Sequence, residues 1–412
     1  MKSGKCCTAN KEMAKTVITG MGVISNAGLT LDAYWRSLFT GQLIYGPLPW
    51  LENDPQFRVK IGAYITSSKW NENLPVSILS RYGKAACYSA SAALRAIEDA
   101  EFDIQTMDTR RIAIVIGTTM GEIQTEEQIA KALKKDPQYD NPQLFRQYRS
   151  DNILQAVRDV TGAQGRGYVV PAACAAGNYA LALAQRLLHW NEADLVITGG
   201  VDAFSMVAFA GFQRLLSLAP DSCRPFDRNR RGLVLGEGCG MLLLERERER
   251  NSQKIHGYIK GIGLASNAYH MTSPHPEGRG EKAAMEKALQ NAALPKEKID
   301  CVIAHGTGTK ANDRIESIAI QQVFGQQSPY VCSVKSMLGH SMGAASTLEV
   351  IAGMLMMQKG YLLPTANYET RDPDCDLKIL KGNPVHKNLS YIQCNSFAFG
   401  GQTSSVIIGV KP

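Results

Sequence analysis

The sequence predicts a layered α/β protein made of two repeats of one fold, and three observations carry that prediction. Ile18-Thr-Gly-Met-Gly-Val-Ile-Ser-Asn-Ala27 recurs as Ile259-Lys-Gly-Ile-Gly-Leu-Ala-Ser-Asn-Ala268, keeping the isoleucine, both glycines and the Ser-Asn-Ala ending, which marks an internal repeat. The same order of strand-like and helix-like stretches follows each copy. Helical stretches beginning near Ala175 and Gly343 are apolar nearly all round, which a surface helix cannot be, so each must be sandwiched. Two sheets with these helices between them and amphipathic helices outside satisfy all three observations.

In the first half the Ile18 segment leads to an amphipathic helical stretch from Ser80 to Ala100, then to the β-branched run Ile112-Ala-Ile-Val-Ile-Gly-Thr118. Tyr168-Val169-Val170 reads as a buried strand feeding the helix after Cys174, and Leu195-Val-Ile-Thr198 and Met241-Leu-Leu-Leu244 close the half. The second half runs through a helix from Lys282 to Ala293, the strand Val302-Ile-Ala-His-Gly-Thr307, a strand before Lys335 with its following helix, and strands at Ile392 and Val406-Ile-Ile408. Residues 1–15 read as a disordered extension, 16–255 as the first half and 256–412 as the second. Glu245 through Arg250 alternates acid and base and reads as a solvated face with helical pairs such as Glu245 with Arg248. Gly20-Met-Gly22 and Gly261-Ile-Gly263 lack the third glycine of a dinucleotide fingerprint, so a doubly wound nucleotide-binding sheet is rejected.

A chain of 412 residues, 44% hydrophobic and 20% charged, has ordinary globular composition and length for a large core, as two domains or two fused halves. No apolar run approaches a membrane span, and Met1-Lys-Ser-Gly-Lys-Cys-Cys7 lacks the apolar core of a secretory signal. Ten cysteines occur without a Cys-x-x-Cys pair and mostly inside apolar runs, which argues against a disulfide framework or zinc knuckle and for a reducing, cytoplasmic location. His270 and His275, with no third ligand, make a poor metal site, so no metal is expected. The net charge of +7 is spread along the chain without basic runs interleaved with aromatics. That disfavours nucleic acid and suits an acidic protein partner.

The chemistry centres on Cys174, which sits where a β-branched run gives way to a small-residue helix. Unpaired N–H groups and the positive end of the helix dipole favour the thiolate there. Most free cysteines are small buried hydrophobes, and Cys174 alone does not escape that reading. Two histidines change the balance, because His305 and His340 each follow an apolar strand-like run, and strand ends are where α/β proteins collect ligands and chemistry.

With these residues the chain resembles the β-ketoacyl-acyl carrier protein synthases, condensing enzymes of the thiolase superfamily, and most closely the elongating type. The resemblance runs from about Thr16 to the end through Ala172-Ala-Cys-Ala-Ala-Gly177, Arg224-Pro-Phe-Asp227 with Gly236-Glu-Gly238, Ala268-Tyr-His-Met-Thr-Ser-Pro274, Ala304-His-Gly-Thr-Gly-Thr309, Lys335-Ser-Met-Leu-Gly-His340 and Asn395-Ser-Phe-Ala-Phe-Gly-Gly401. It implies the five-layered αβαβα thiolase fold and a decarboxylative Claisen condensation of an acyl group held on Cys174 with malonyl-acyl carrier protein. It makes His305 and His340 donors to the malonyl thioester oxygen, and the N–H groups of Cys174 and Phe399 a second oxyanion hole. Lys335 becomes a buried lysine orienting a neighbouring acid, most closely Glu316, while Thr307 and Thr309 bind the phosphopantetheine arm. The resemblance also implies a homodimer partnered by acyl carrier protein, no cofactor held by the enzyme itself, and an insertion, roughly 121–167, lying over the site and the dimer interface.

Three positions depart from the family pattern. Ala398 replaces a glycine before Phe399 and would hinder a swing needing positive φ, Gln402 stands where threonine is common, and Lys310 where proline is common. Two other readings stay open at this point: a malonyl-carrier protein decarboxylase, and a non-catalytic partner subunit that sets another synthase's chain length.

Overall fold

β-Branched runs form the strands of this chain, and alanine-rich runs form the helices that lie closest on them. The structure, a computed structural model, describes residues 15–247 and 254–411. Almost all of the expected N-terminal extension, and Arg248 through Arg250, lie outside the described residues. The first half places β1 (Thr16–Ser25), α1 (Lys84–Ala100), β2 (Ile112–Thr118), α2 (Asn152–Thr161), β3 (Gly167–Pro171), α3 (Ala176–His189), β4 (Leu195–Asp202) and β5 (Gly238–Arg246). The second half repeats the order with β6 (Gly257–Ser266), α4 (Arg279–Ala292), β7 (Cys301–Ile303), α5 (Lys310–Phe324), β8 (Tyr330–Cys332), α6 (Ala345–Lys359), β9 (Tyr391–Phe397) and β10 (Gln402–Gly409).

Strand order in the first half is β3-β2-β4-β5-β1 and in the second β8-β7-β9-β10-β6, so every strand has its counterpart. Directions match as well: the pairs of β2 with β3 and β4 are parallel, as are those of β7 with β8 and β9, and the rest are antiparallel. The expectation of two separate sheets needs one correction. β1 and β6 pair antiparallel over three residues, Thr16 with Ile259 through Ile18 with Gly257, joining the halves into one ten-stranded sheet. The seam pairs strand edges that would otherwise stay open.

Alternation along the strands builds the layers. Ile112, Ile114 and Ile116 face an outer core with the buried alanines of α1, whereas Ala113 and Val115 face the inner core with α3 and α6. In the second half Val302 packs outward with Met285 and Ala288 of α4, and Cys301 and Ile303 inward. Outer helices, half-sheet, inner helices, half-sheet and outer helices make the thiolase-like fold. The α6 residues from Ala345 through Met357 are buried without a break, as an interior helix must be.

The repeated glycine pair sets the spacing of strand and helix. A Cβ on Gly22 would stand 2.0 Å from the Ala92 carbonyl oxygen in α1, and one on Gly263 would stand 1.9 Å from the Ala284 carbonyl oxygen in α4. The motif therefore serves packing in both copies. Helix α1 starts at Lys84 rather than Ser80: a separate short helix ends at Arg81, and Glu122 accepts the Ala86 N–H at 2.6 Å in the first turn of α1. Burial pushes the Glu122 carboxyl up to about 7.

At its described positions the alternating run that begins at Glu245 is not a solvated helical face. Glu245 and Arg246 end β5, both buried, and Arg246 bonds the Leu188 and Ala193 carbonyls at 2.7 and 2.8 Å and Asp194 at 2.8 Å. Period two there continued the strand.

If the glycines act alike, Gly22→Ala and Gly263→Ala each overpack a helix–strand contact and destabilise by about 1–3 kcal/mol or more. Thermal unfolding of the two variants should show lowered midpoints of similar size; a midpoint that does not move would refute the packing role.

Candidate active site

Strand β3 ends in a sharp elbow. Ala173 takes a left-handed conformation (φ 46°), strained for a residue with a Cβ, and Cys174 follows at the entrance to α3. Ser396 of β9 fixes the elbow by donating its hydroxyl to the Cys174 carbonyl at 2.8 Å. The second half carries the same elbow: Met342 (φ 51°) precedes Gly343 at the entrance to α6. Gly343 thus occupies the position matching Cys174, and its N–H bonds Asp202 of β4 at 2.7 Å.

His340 reaches Cys174, and His305 lines the same cavity against the His340 ring. His340 Nε2 lies 3.1 Å from the Cys174 Sγ, and the His305 and His340 rings meet edge to face with centroids 5.3 Å apart. His340 is held by its backbone, which bonds Val234 O and Gly236 N at 2.7 and 2.9 Å, giving the Gly236-Glu-Gly238 segment a role in the site. His305 follows β7 directly, and Phe397 packs on its ring at 5.9 Å.

The acid beside Lys335 is Glu349, not Glu316. Lys335 forms its ion pair with Glu349 of α6, both essentially inaccessible to water. Glu316 instead accepts the N–H groups of His305 and Gly306, each at 2.8 Å, so it holds the histidine loop and does not line the cavity. Asp313, missed in the sequence, does the same for Thr307 and Gly308 at 3.1 and 3.2 Å and also takes the Phe226 N–H at 2.7 Å. A lone carboxylate inside an all-apolar helix demands a cation, and that signal could have found Glu349.

Thr307 and Thr309 line the cavity, their hydroxyls 2.9 Å apart. Phe399 is 39% exposed at the cavity rim and packs on Phe212. Ala398 sits in extended backbone (φ −127°), and the left-handed positions fall on Gly400 and Gly401, so the observed turn needs no glycine at 398. The Gly121–Gly167 segment does not line the cavity among the described residues. His270 lines it, its Nδ1 accepting the Thr272 N–H at 3.1 Å. The cavity holds about 130 Å³, less than the roughly 300–1,000 Å³ of ligand pockets in general.

Residues 13–250 match the family described as Beta-ketoacyl synthase, N-terminal domain, and residues 256–369 its C-terminal domain. The chain belongs to the beta-ketoacyl synthase family. It is 33% identical over 405 residues to 3-oxoacyl-[acyl-carrier-protein] synthase 2 of Synechocystis sp., covering 95% of this chain and 97% of that one. Among solved structures it is similar to the ishigamide ketosynthase/chain length factor, with TM-score 0.91, 34% identity and 97% and 100% of the two chains covered. It is also similar to a type II polyketide ketosynthase in complex with its acyl-carrier protein, with TM-score 0.89, 25% identity and the same coverage. The relationship makes this synthase a condensing enzyme of the acyltransferase class.

Burial governs protonation in this synthase. It pushes the Cys174 thiol up to about 12, with Lys335 pulling only partly the other way, so the thiolate expected from the helix start is not the resting form. Both histidines lie well below the usual range, first through burial and then through the Lys335 charge, and are neutral. Glu349 is raised to about 7 by burial against the pull of Lys335, and Glu316 to about 7 against its N–H donors. The Nδ1 atoms of both imidazoles are buried without a hydrogen-bond partner among the described residues. Neither tautomer is therefore locked by the protein.

Alkylation of Cys174 by iodoacetamide should rise about tenfold per pH unit from pH 7 to 10 without a plateau, since only the thiolate reacts; a plateau below pH 9 would contradict the buried thiol. Lys335→Met strands Glu349 and should cost about 3–5 kcal/mol in denaturant unfolding, most of it regained in Lys335→Met/Glu349→Leu. At fixed pH either Lys335 variant should alkylate more slowly than the parent, because losing the cation raises the thiol further.

Proposed function

We propose that this enzyme condenses an acyl group carried on Cys174 with malonyl-acyl carrier protein, releasing 3-oxoacyl-carrier protein and CO2, in fatty acid or polyketide synthesis. The observation that carries the reading is the Cys174 Sγ within 3.1 Å of His340 Nε2, with the His305 ring against that imidazole in the same cavity. First, Cys174 sulfur attacks the acyl thioester carbonyl, the bond to the carrier sulfur breaks, and the thiol proton passes through His340 to the departing carrier thiolate. The N–H groups of Cys174 and Phe399 hold the transient oxyanion. Next, the malonyl Cα–carboxylate bond breaks, CO2 leaves, and the electron pair becomes a thioester enolate whose oxygen takes Nε2–H bonds from both neutral imidazoles. The enolate carbon then attacks the Cys174 thioester carbonyl, the carbon–sulfur bond breaks, and the expelled thiolate takes up from solvent water the one proton that the overall condensation consumes. His340 accepts in the first step and donates in the second, which an unlocked tautomer allows. Lys335 orients and biases the histidines, and Thr307 and Thr309 hold the pantetheine arm. Each step runs through the chain's own residues and carrier-bound thioesters, without a metal or cofactor held by the enzyme.

The reading includes acyl carrier protein as partner and a homodimer formed along β3. This edge strand leaves Gly167 through Val170 half-buried and Pro171 exposed, while β1 and β4 are buried throughout. A second reading puts a chain-length-factor subunit on that edge, as favoured by the pairing named in the ishigamide structure. The enzyme is placed in the cytoplasm with its carrier. Among the described residues no helix is long and apolar enough to cross a membrane.

Purified enzyme given acyl- and malonyl-carrier protein should release CO2 and a 3-oxoacyl product. Cys174→Ala should abolish condensation and keep malonyl decarboxylation, whereas His305→Ala or His340→Ala should slow decarboxylation by roughly 10²–10³-fold. Acetyl-carrier formed with no 3-oxo product from any acyl donor would overturn the condensing reading in favour of a decarboxylase.

A further inference from the structure

Glu281 is the only acidic side chain among the described residues lining the catalytic cavity, and the condensation steps leave it unused. It lies in the first turn of α4 and is 1% exposed. Its Oε1 accepts the Asn267 amide at 2.7 Å, and its Oε2 is buried with no hydrogen-bond partner among the described residues. Asn267 in turn bonds the Gly280 N–H at 3.0 Å and the Gly401 carbonyl at 2.8 Å, next to the Phe399 turn. Burial pushes the Glu281 carboxyl above its ordinary range, and the Asn267 bond and the nearby His275 partly offset this.

A carboxylate oxygen kept dry without a donor is costly, and such an atom on a residue that lines a cavity calls for a donor from the ligand. Given the proposed substrates, few groups qualify. A saturated acyl chain offers no donor, and a malonyl carboxylate would be repelled. The arm that delivers both does carry donors, on its amides. Resting on the synthase reading, we propose that Glu281 Oε2 accepts a hydrogen bond from an amide N–H of the pantetheine arm, making Glu281 a binding residue for the carrier-linked substrate. The arm then meets an acceptor at Glu281 as well as the hydroxyls of Thr307 and Thr309, so its polar groups are read in both senses. A competing role is purely internal, with Glu281 serving only to anchor Asn267 and through it the Phe399 turn.

Calorimetric titration of the full-length protein with S-methyl pantetheine, and with two analogues in which one or the other amide N–H is replaced by an ester oxygen, separates the roles. Glu281→Gln can keep an oxygen for Asn267 while turning an NH2 toward the cavity. The variant should bind S-methyl pantetheine at least tenfold more weakly, as expected for losing a hydrogen bond to a charged group, yet bind one ester analogue within twofold of the parent. In the parent enzyme that same analogue should bind at least tenfold more weakly than S-methyl pantetheine, a comparison that needs no variant. If all three ligands weaken alike in the variant, or none does, Glu281 does not bind the arm. Because the titration requires no turnover, a protein that binds the arm through Glu281 but forms no 3-oxo product would sink the synthase reading alone.

Discussion

The Lys335 ammonium and the Glu349 carboxylate meet where neither reaches water, and the site is arranged around that pair. Lys335 stands at the end of β8 and Glu349 one turn into α6, so the ion pair pins the inner helix to the strand end that carries His340. The pair's charge also reaches outward. Lys335 draws the thiol of Cys174 down and pushes both histidines down, while burial acts on the thiol in the opposite direction. The cation thus adds to the burial that keeps the imidazoles neutral, without creating a resting thiolate. In the malonyl step as proposed, each neutral imidazole donates to the enolate oxygen from the nitrogen that carries its proton.

Duplication explains why the site has this shape. Each half presents a strand, a left-handed elbow and a buried helix, and the two elbows face each other across the inner layer. Only one carries a nucleophile. At the other, a Cβ on Gly343 would stand 2.7 Å from Asp202 Oδ2 and 2.8 Å from the Thr119 N–H, so that position is committed to closing the interface between halves. Asp202 gathers Thr118, Thr119, Met120 and Gly343 around one buried carboxylate, raised to about 6 by that burial. The equivalent places in the repeat have diverged into reaction in one half and structural support in the other.

The repeat, the inner helices and the Cys174, His305 and His340 set were legible because each leaves a local mark: a recurring glycine pair, apolar residues on every helix face, polar residues at strand ends. What escaped depends on side chains meeting across long sequence separations. Lys335 could be placed as buried, but choosing Glu349 over Glu316 requires knowing that α6 brings Glu349 to Lys335, while α5 turns its acids toward the loop at 305–308. The three-residue seam between β1 and β6 leaves no pattern, because strands that pair briefly and strands that stay apart carry the same alternation. The acid–base run after Leu244 misled for a related reason: charges at period two suit a strand when an arginine can reach carbonyl oxygens and a carboxylate, and Arg246 does.

The buried thiol was also misjudged from the helix start alone, and the reason bears on catalysis. A helix end is a local effect of a few tenths to about 2 kcal/mol, whereas removing a thiolate from water costs more, so desolvation wins in the resting site. That outcome does not disable the nucleophile. A thiol of high pKa gives a more nucleophilic sulfur for each thiolate formed, and the proton has a path to His340 at 3.1 Å. The harder step is the last one, when the same sulfur must leave as thiolate from the condensing intermediate. A neutral His340 with its proton on Nε2 can donate to the departing sulfur as well as to the enolate oxygen, and the Lys335 charge favours the anion in both positions. In the proposed cycle the same buried cation and imidazole therefore serve an oxyanion and a thiolate in turn, at a centre where the Lys335 charge is paired with Glu349 and both imidazoles are neutral.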